Sequence, residues 1–322
     1  MISRFSKFVV AGIAASFAAA SFAQQYPSKP VRLINPWTPG GPAELLTRIV
    51  GQKMADSLGQ PFIVENKPGA NGTIGATFVA KSAPDGYTIL FSHVGPMAIS
   101  PAVVEKMPYD TLKDFEPVTQ VAAGALVLLV RNDIPITNLK ELVAYGKANP
   151  GKMSCGSVGP ASTSHLACEL FHILGGVQTI HVPYKGSAPV ITDMLGGQIS
   201  ISFLNVAGAM PQMRANQLRP VAVTTLKRSG VLPDLPTMNE SMPGFEVNSW
   251  YGMMAPAGTP KAIVHLLQRE VAKALKAPDV AEKLKEFGLD PVGNTPEEHA
   301  AQLRVDLERW GKVARAAKIK VD

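Results

Sequence analysis

Two glycine-rich turns constrain this chain more than any other feature. Pro36-Trp37-Thr38-Pro39-Gly40-Gly41-Pro42 follows the β-rich run Val31-Arg32-Leu33-Ile34-Asn35. Gly156-Ser157-Val158-Gly159-Pro160 follows Lys152-Met153-Ser154-Cys155. Each turn leads into a segment of helical periodicity. A strand that stops at glycines and restarts as a helix leaves backbone N–H groups unpaired at the positive end of a helix dipole. Such a turn cradles anions. Two cradles far apart in sequence are expected to close, one from each of two lobes, on a single small anionic ligand. Alone, Gly40-Gly41 reads equally well as a tight connection; its partner turn tips the reading towards ligand contact.

From Tyr26 onward β-rich and helix-like segments alternate, the pattern of an α/β protein with largely parallel sheets. One series runs through strands at 31–35, 61–65 and 87–91, with helices at 43–58 and up to Ala80. A second has strands at 126–130, 152–155, 180–182, 199–203 and 220–224, with helices at 139–148, 164–174 and 188–195. After a strand-like 251–255, Thr259-Pro260 reads as N-cap and first helical residue, and Thr295-Pro296-Glu297-Glu298 as a capping box. Leu303, Leu307 and Trp310 lie on the apolar face of the last helix, and we assign Trp310 to the core. No flexible linker separates the two series. Paired strands near Gly124 and Trp250 are therefore expected to cross between lobes at 26–124 plus 250–322 and at 125–249, forming a hinge. In open α/β sheets ligands bind beyond the carboxyl ends of the strands. Those ends point to 36–42, 68–72 and 93–96 in one lobe, and to 157–163, 184–187 and 205–208 in the other.

Arg4 and Lys7, the apolar 8–20 and Ser21-Phe22-Ala23 read as an export signal at 1–23 cleaved after Ala23, giving a periplasmic protein. No cysteine stands at that point to carry a lipid. Roughly 300 mature residues favour two domains over one core. Loss of Arg4 and Lys7 takes the net charge from +6 to +4. The basic residues are scattered and not interleaved with aromatics, which argues against nucleic acid as partner. Cys155 and Cys168 are too few for a disulfide scaffold; their spacing does not settle pairing, and we read them as two buried thiols.

Longer motifs carry a family resemblance over the whole mature chain. They are Glu65-Asn66-Lys67-Pro68-Gly69-Ala70-Asn71-Gly72, Pro84-Asp85-Gly86-Tyr87-Thr88 and Val182-Pro183-Tyr184-Lys185-Gly186. Leu235-Pro236-Thr237 and Gly244-Phe245-Glu246 follow in order. In these the chain closely resembles the substrate-binding receptors of tripartite tricarboxylate transporters, the Bug receptors. The resemblance implies a two-lobed α/β fold of the Venus-flytrap, type II-like kind with crossover hinge strands. It also implies a receptor that delivers a small carboxylate to the membrane permease subunits of such a transporter, with no cofactor. Carried onto this chain, the first cradle is Trp37, Thr38, Gly40, Gly41, Pro42 and Ala43, and the second Ser157, Gly159, Ser162 and Thr163. His93 and Asn205 lie at neighbouring strand ends. Lys185 either contacts the ligand or a nearby carbonyl, or orients its turn; Tyr184 reads as packing.

Three departures from the family pattern bear on the ligand. Pro42-Ala43-Glu44 stands where Ser or Thr followed by Asp is common, so Ala43 removes a hydroxyl. Leu204 stands where Asp is frequent, which removes a partner for an ammonium group. Trp37 replaces a common Phe and is placed to cover a flat ligand face. An aromatic or non-amino carboxylate is the expected ligand.

Other chemistries are weaker. His165, Cys168 and His172 share one helix face with Cys155 upstream, but the spacing matches no zinc motif, and we expect no metal. The chain has no Gly-x-Ser-x-Gly elbow, phosphate loop or His-Glu-x-x-His helix. A hydrolase of small esters or amides using Ser157 or Ser162 near His165 is the alternative from another class. A ligand-sensing partner of a membrane sensor is a third. We expect a monomer and no enzyme.

Overall fold

The computed structural model describes residues 26–39 and 42–320. The expected signal at 1–23 and the pair Gly40-Gly41 lie outside the described residues. Strand β1 (Val31–Asn35) leads to helix α1 (Pro42–Leu58), then β2 (Phe62–Asn66), α2 (Thr73–Ala80) and β3 (Thr88–His93). The three strands are parallel with β1 in the middle. Their side chains alternate between faces, so Leu33 and Ile89 enter one core while Ile34 and Leu90 enter another. Helix α1 packs on one face through Leu46, Val50 and Met54, fully buried at four-residue spacing,.

Strand β4 (Phe115–Arg131) follows. It begins before the apolar run 121–130 that announces it, because Pro117 disguises its first part. The ladder absorbs that proline by a register shift between Pro117 and Thr119,. Helix α3 (Leu139–Ala148), β5 (Met153–Ser157), α4 (Thr163–Gly175), β6 (Thr179–Pro183), α5 (Ser187–Leu195) and β7 (Ile201–Asn205) form the second series. Here β5 is central in a second parallel triple. Helix α6 (Val206–Arg214) and β8 (Leu218–Val223) complete it. The stretch 205–208, read as a loop, is thus the start of a helix. Its buried face of Val206, Ala209 and Met213 outweighs the poor helix propensity of Gly208 and Pro211,. The chain returns through β9 (Asn248–Pro256), α7 (Lys261–Ala274), α8 (Pro278–Glu286), β10 (Asp290–Pro291) and α9 (Pro296–Ala316).

The two halves share one plan. The order β2-β1-β3 continues into β9 and then β4, while β6-β5-β7 continues into β4, which also carries β8. Each parallel triple is flanked by one antiparallel strand arriving from the other half. Strand β4 pairs with β9 as far as Ala125, then with β7 from Leu126 onward. Strands β4 and β9 are therefore the crossovers. Gly124 marks the changeover, where a Cβ would come within 2.9 Å of the Gly288 carbonyl oxygen. Trp250 is fully buried in β9, and its indole N–H donates to Asp306 Oδ2 at 2.8 Å, tying the crossover to α9.

Two local expectations are corrected. Cys155 and Cys168 are joined in a disulfide, not free thiols, because α4 turns back along β5 and brings their Cα atoms to 6.1 Å. A cross-link closing so short a loop contributes about 3 kcal/mol. Thr259 does not cap α7: Pro260 holds the N-cap position, and the Thr259 hydroxyl donates to the Pro256 carbonyl at 2.7 Å. The capping box at Thr295 forms as read, and Trp310 is buried in the core. Among the described residues no helix is long and apolar enough to cross a membrane.

Candidate functional site

Residues beyond the carboxyl ends of the parallel strands of both halves line one cleft of about 400 Å³. The first half contributes Trp37, Thr38 and Ala43 after β1, Asn71 after β2, and His93 and Gly95 at the end of β3. The second contributes Ser162, Thr163 and Ser164 after β5, Ser187 after β6, Asn205 at the end of β7 and Gly208 beyond it. The crossover strands supply Leu126, Ser249 and Tyr251. Phe203, Val158 and Pro160 add apolar surface.

Four helices present their N-terminal ends here. Ala43 lies in the first turn of α1, Thr163 and Ser164 open α4, Ser187 opens α5 and Asn205 caps α6. Ser162 is the N-cap of α4; it accepts from the His165 N–H at 3.1 Å and donates to the Gly159 carbonyl at 2.6 Å. Its hydroxyl is therefore committed to the turn. The amides of Thr163 and Ser164 come at the start of the helix, where no intrahelical acceptor exists. Ser164 Oγ accepts from the Val158 N–H at 3.0 Å, which leaves its own proton free to donate,.

Among the described residues the lining holds no Lys, Arg, Asp or Glu. Glu44, in the first turn of α1, is buried and ion-paired with Arg48 instead. The two titratable lining side chains are both uncharged at neutral pH. Burial lowers His93 to about 4 and raises Tyr251 to about 12. Any anion in this cleft meets backbone dipoles, amides and hydroxyls, with no formal cation to bind.

The His93 ring packs against Trp37 at 6.0 Å and Tyr251 at 4.9 Å between centroids. Its Nδ1 accepts from the Gly95 backbone N–H at 3.1 Å, so Nδ1 carries no proton. The neutral ring then holds its proton on Nε2, which lies 2.8 Å from Ser249 Oγ,. His93 donates to Ser249 and cannot act as a base towards it. A second close pair, Ser157 Oγ and His181 Nε2 at 2.7 Å, has its serine fully buried. Neither pair has the geometry of an activated nucleophile in the cleft.

The halves touch directly across the cleft. Asn71 Nδ2 donates to the Ala161 carbonyl at 3.0 Å and to Ser100 Oγ at 3.2 Å. Both Asn71 and Ala161 have left-handed backbones, with φ of 51° and 56°. Asn tolerates that region better than most residues. The Ala-Asn-Gly run at 70–72 carried this signal, although Asn71 was not among the expected contacts.

Three expected contacts lie away from the lining. Strand β5 runs on to Ser157, which turns under His181 instead of facing the cleft. Gly159 shapes the turn, with φ of 138° and a carbonyl taken by Ser162. Lys185 is exposed on the turn between β6 and α5. Pro42 begins α1, while Gly40 and Gly41 are outside the described residues.

The anticipated metal-like group is also rearranged. Cys168 is consumed by the disulfide, and the polar cluster is His165, Glu169 and His181. The two imidazoles stack 3.9 Å apart at 10°, so their in-plane lone pairs run side by side without converging on one ion. His165 Nδ1 accepts from the Ala161 N–H at 3.3 Å, and His181 bonds Ser157.

Comparison with known proteins decides the class. The profile of the tripartite tricarboxylate transporter family receptors matches residues 46–319. This chain belongs to that receptor family. Protein BugT of Bordetella pertussis is 36% identical to the receptor over 310 residues, covering 95% of each chain. A solved periplasmic transporter is 41% identical with a TM-score of 0.80, covering 92% of the receptor and all of the other chain. R. palustris Rpa4515, solved with adipate, is 36% identical with a TM-score of 0.80, over 92% and 99% of the two chains. MatC of Rhodopseudomonas palustris, solved with malate, is 32% identical with a TM-score of 0.76, over 89% and 99%. The receptor is a periplasmic solute-binding protein and not an enzyme.

Proposed function

We propose that the receptor captures a small carboxylate between lobes at 26–124 plus 250–322 and at 125–249, and delivers it to the permease subunits of a tripartite tricarboxylate transporter. It does so as an exported monomer after cleavage behind Ala23. One observation carries the reading: a cleft without charged side chains, ringed by four helix N-termini drawn from both halves. Trp37, Thr38, Ala43, Ser162, Thr163 and Asn205 stand there, and we propose them as contacts, with Gly40, Gly41 and Pro42 completing the first cradle. The ligand is an acid without an amino group, since no carboxylate stands among the described lining residues to meet an ammonium group. Apolar surface from Trp37, Phe203 and Leu126 suits a hydrocarbon or aryl body between polar ends,. Adipate and malate, bound by two structural relatives, are the first compounds to try.

The test is a thermal-shift screen on protein unfolded and refolded to strip endogenous ligand. The panel is adipate, malate, hexanoate, benzoate and glutamate. At a hundredfold excess over Kd a bound acid adds about 2.7 kcal/mol, roughly a 5 °C rise in Tm. At least one non-amino acid should give it. A response to glutamate alone would overturn the ligand class.

A further inference from the structure

We infer that Ser249 is a fixed hydrogen-bond donor at the hinge and selects ligands that present an accepting oxygen to strand β9. The inference rests on the carboxylate-receptor reading and adds a specificity residue that no strand-end loop supplies. Ser249 lines the cleft and is 2% exposed. His93 Nε2 is the partner of its hydroxyl oxygen, and the Gly95 amide fixes the direction of that bond. Because the oxygen receives a proton from His93, the hydroxyl's own proton has to go elsewhere. No acceptor for it appears among the described residues. A ligand oxygen in the cleft meets that need; an ammonium group would put donor against donor.

The place of Ser249 in the sheet gives the contact a second consequence. It pairs with Gly124, one residue before the last β4–β9 pair, Ala125 with Asn248. Ligand oxygen at Ser249 therefore bonds the strand that must flex for the halves to part. His93, on β3 of the first half, is a positioning residue: it acts through the direction it imposes on Ser249.

The experiment is calorimetry with the same five acids on wild type, Ser249→Ala, His93→Leu, His93→Gln and the double variant Ser249→Ala/His93→Leu. Thermal melts check that each is folded. Ser249→Ala should weaken the best-bound acid roughly tenfold. His93→Leu should do likewise, and the double variant should be no worse than either single one. His93→Gln, whose amide N–H reaches towards Ser249, should keep most of the affinity. A merely structural role for His93 would give additive losses and no rescue by Gln. If His93→Leu does not fold, Ser249→Ala decides alone. Wild-type affinity in Ser249→Ala, or additive losses, overturns the inference while leaving the receptor reading intact. A wild type that binds none of the five acids overturns the carboxylate reading, and this inference with it.

Discussion

His299 lies in α9 with its ring wholly buried, its Nδ1 unpartnered among the described residues and its Nε2 3.3 Å from Met254 Sδ. Burial lowers its pKa to about 3, and lowers His93 and His181 to about 4. All three are neutral in the folded protein, yet they protonate near 6.5 once the chain unfolds. The unfolded state therefore takes up protons first as pH falls. Stability is fully present above pH 6.5 and is lost towards pH 4. Tm should drop across that window, and His299→Leu should remove up to about 1.4 kcal/mol per pH unit from the slope. An unchanged slope in the variant would contradict this. At the residue scale the sequence shows small polar positions well and side-chain direction poorly. Thr163 and Asn205 sit at the cleft because each stands at the start of a helix that follows a parallel strand, Thr163 as first residue and Asn205 as cap. Ser157 does not, because β5 continues two residues beyond Cys155, and only the fold reveals His181 waiting for its hydroxyl.

Elements carry the contact that joins the halves. The turn after β2 and the turn before α4 meet through Asn71 and Ala161, each held in a left-handed backbone. Asn71→Gly keeps that backbone accessible while deleting the bond. We expect the affinity of the best-bound acid to fall about five- to tenfold, with little change in the Tm of ligand-free protein. Calorimetry and a melt measure both; an unchanged affinity would remove the latch from the account. The parallel triples and the two crossovers were readable because the inner strands are largely buried and the glycine turns punctuate the series. What escaped had masking residues. Pro117 hid the start of β4, and Gly208 with Pro211 hid α6. The Cys155–Cys168 bond was invisible for another reason: sequence separation says nothing of distance until α4 folds back on β5.

At the scale of the molecule, two halves of like topology share β4 and β9, and their helix N-termini converge on a cleft without formal charge. On the proposed reading, dipoles from both halves add only when both face the guest, so binding would couple to closure. The class was readable because a family resemblance ran the whole chain. The ligand was not, since cleft width depends on how the halves meet. A crystal structure of the receptor loaded with its best-binding acid tests this directly. The carboxylate should lie within hydrogen-bonding distance of the N-terminal amides of both α1 and α4. A guest bound outside the cleft, or held chiefly by a lysine or arginine side chain, would contradict the account.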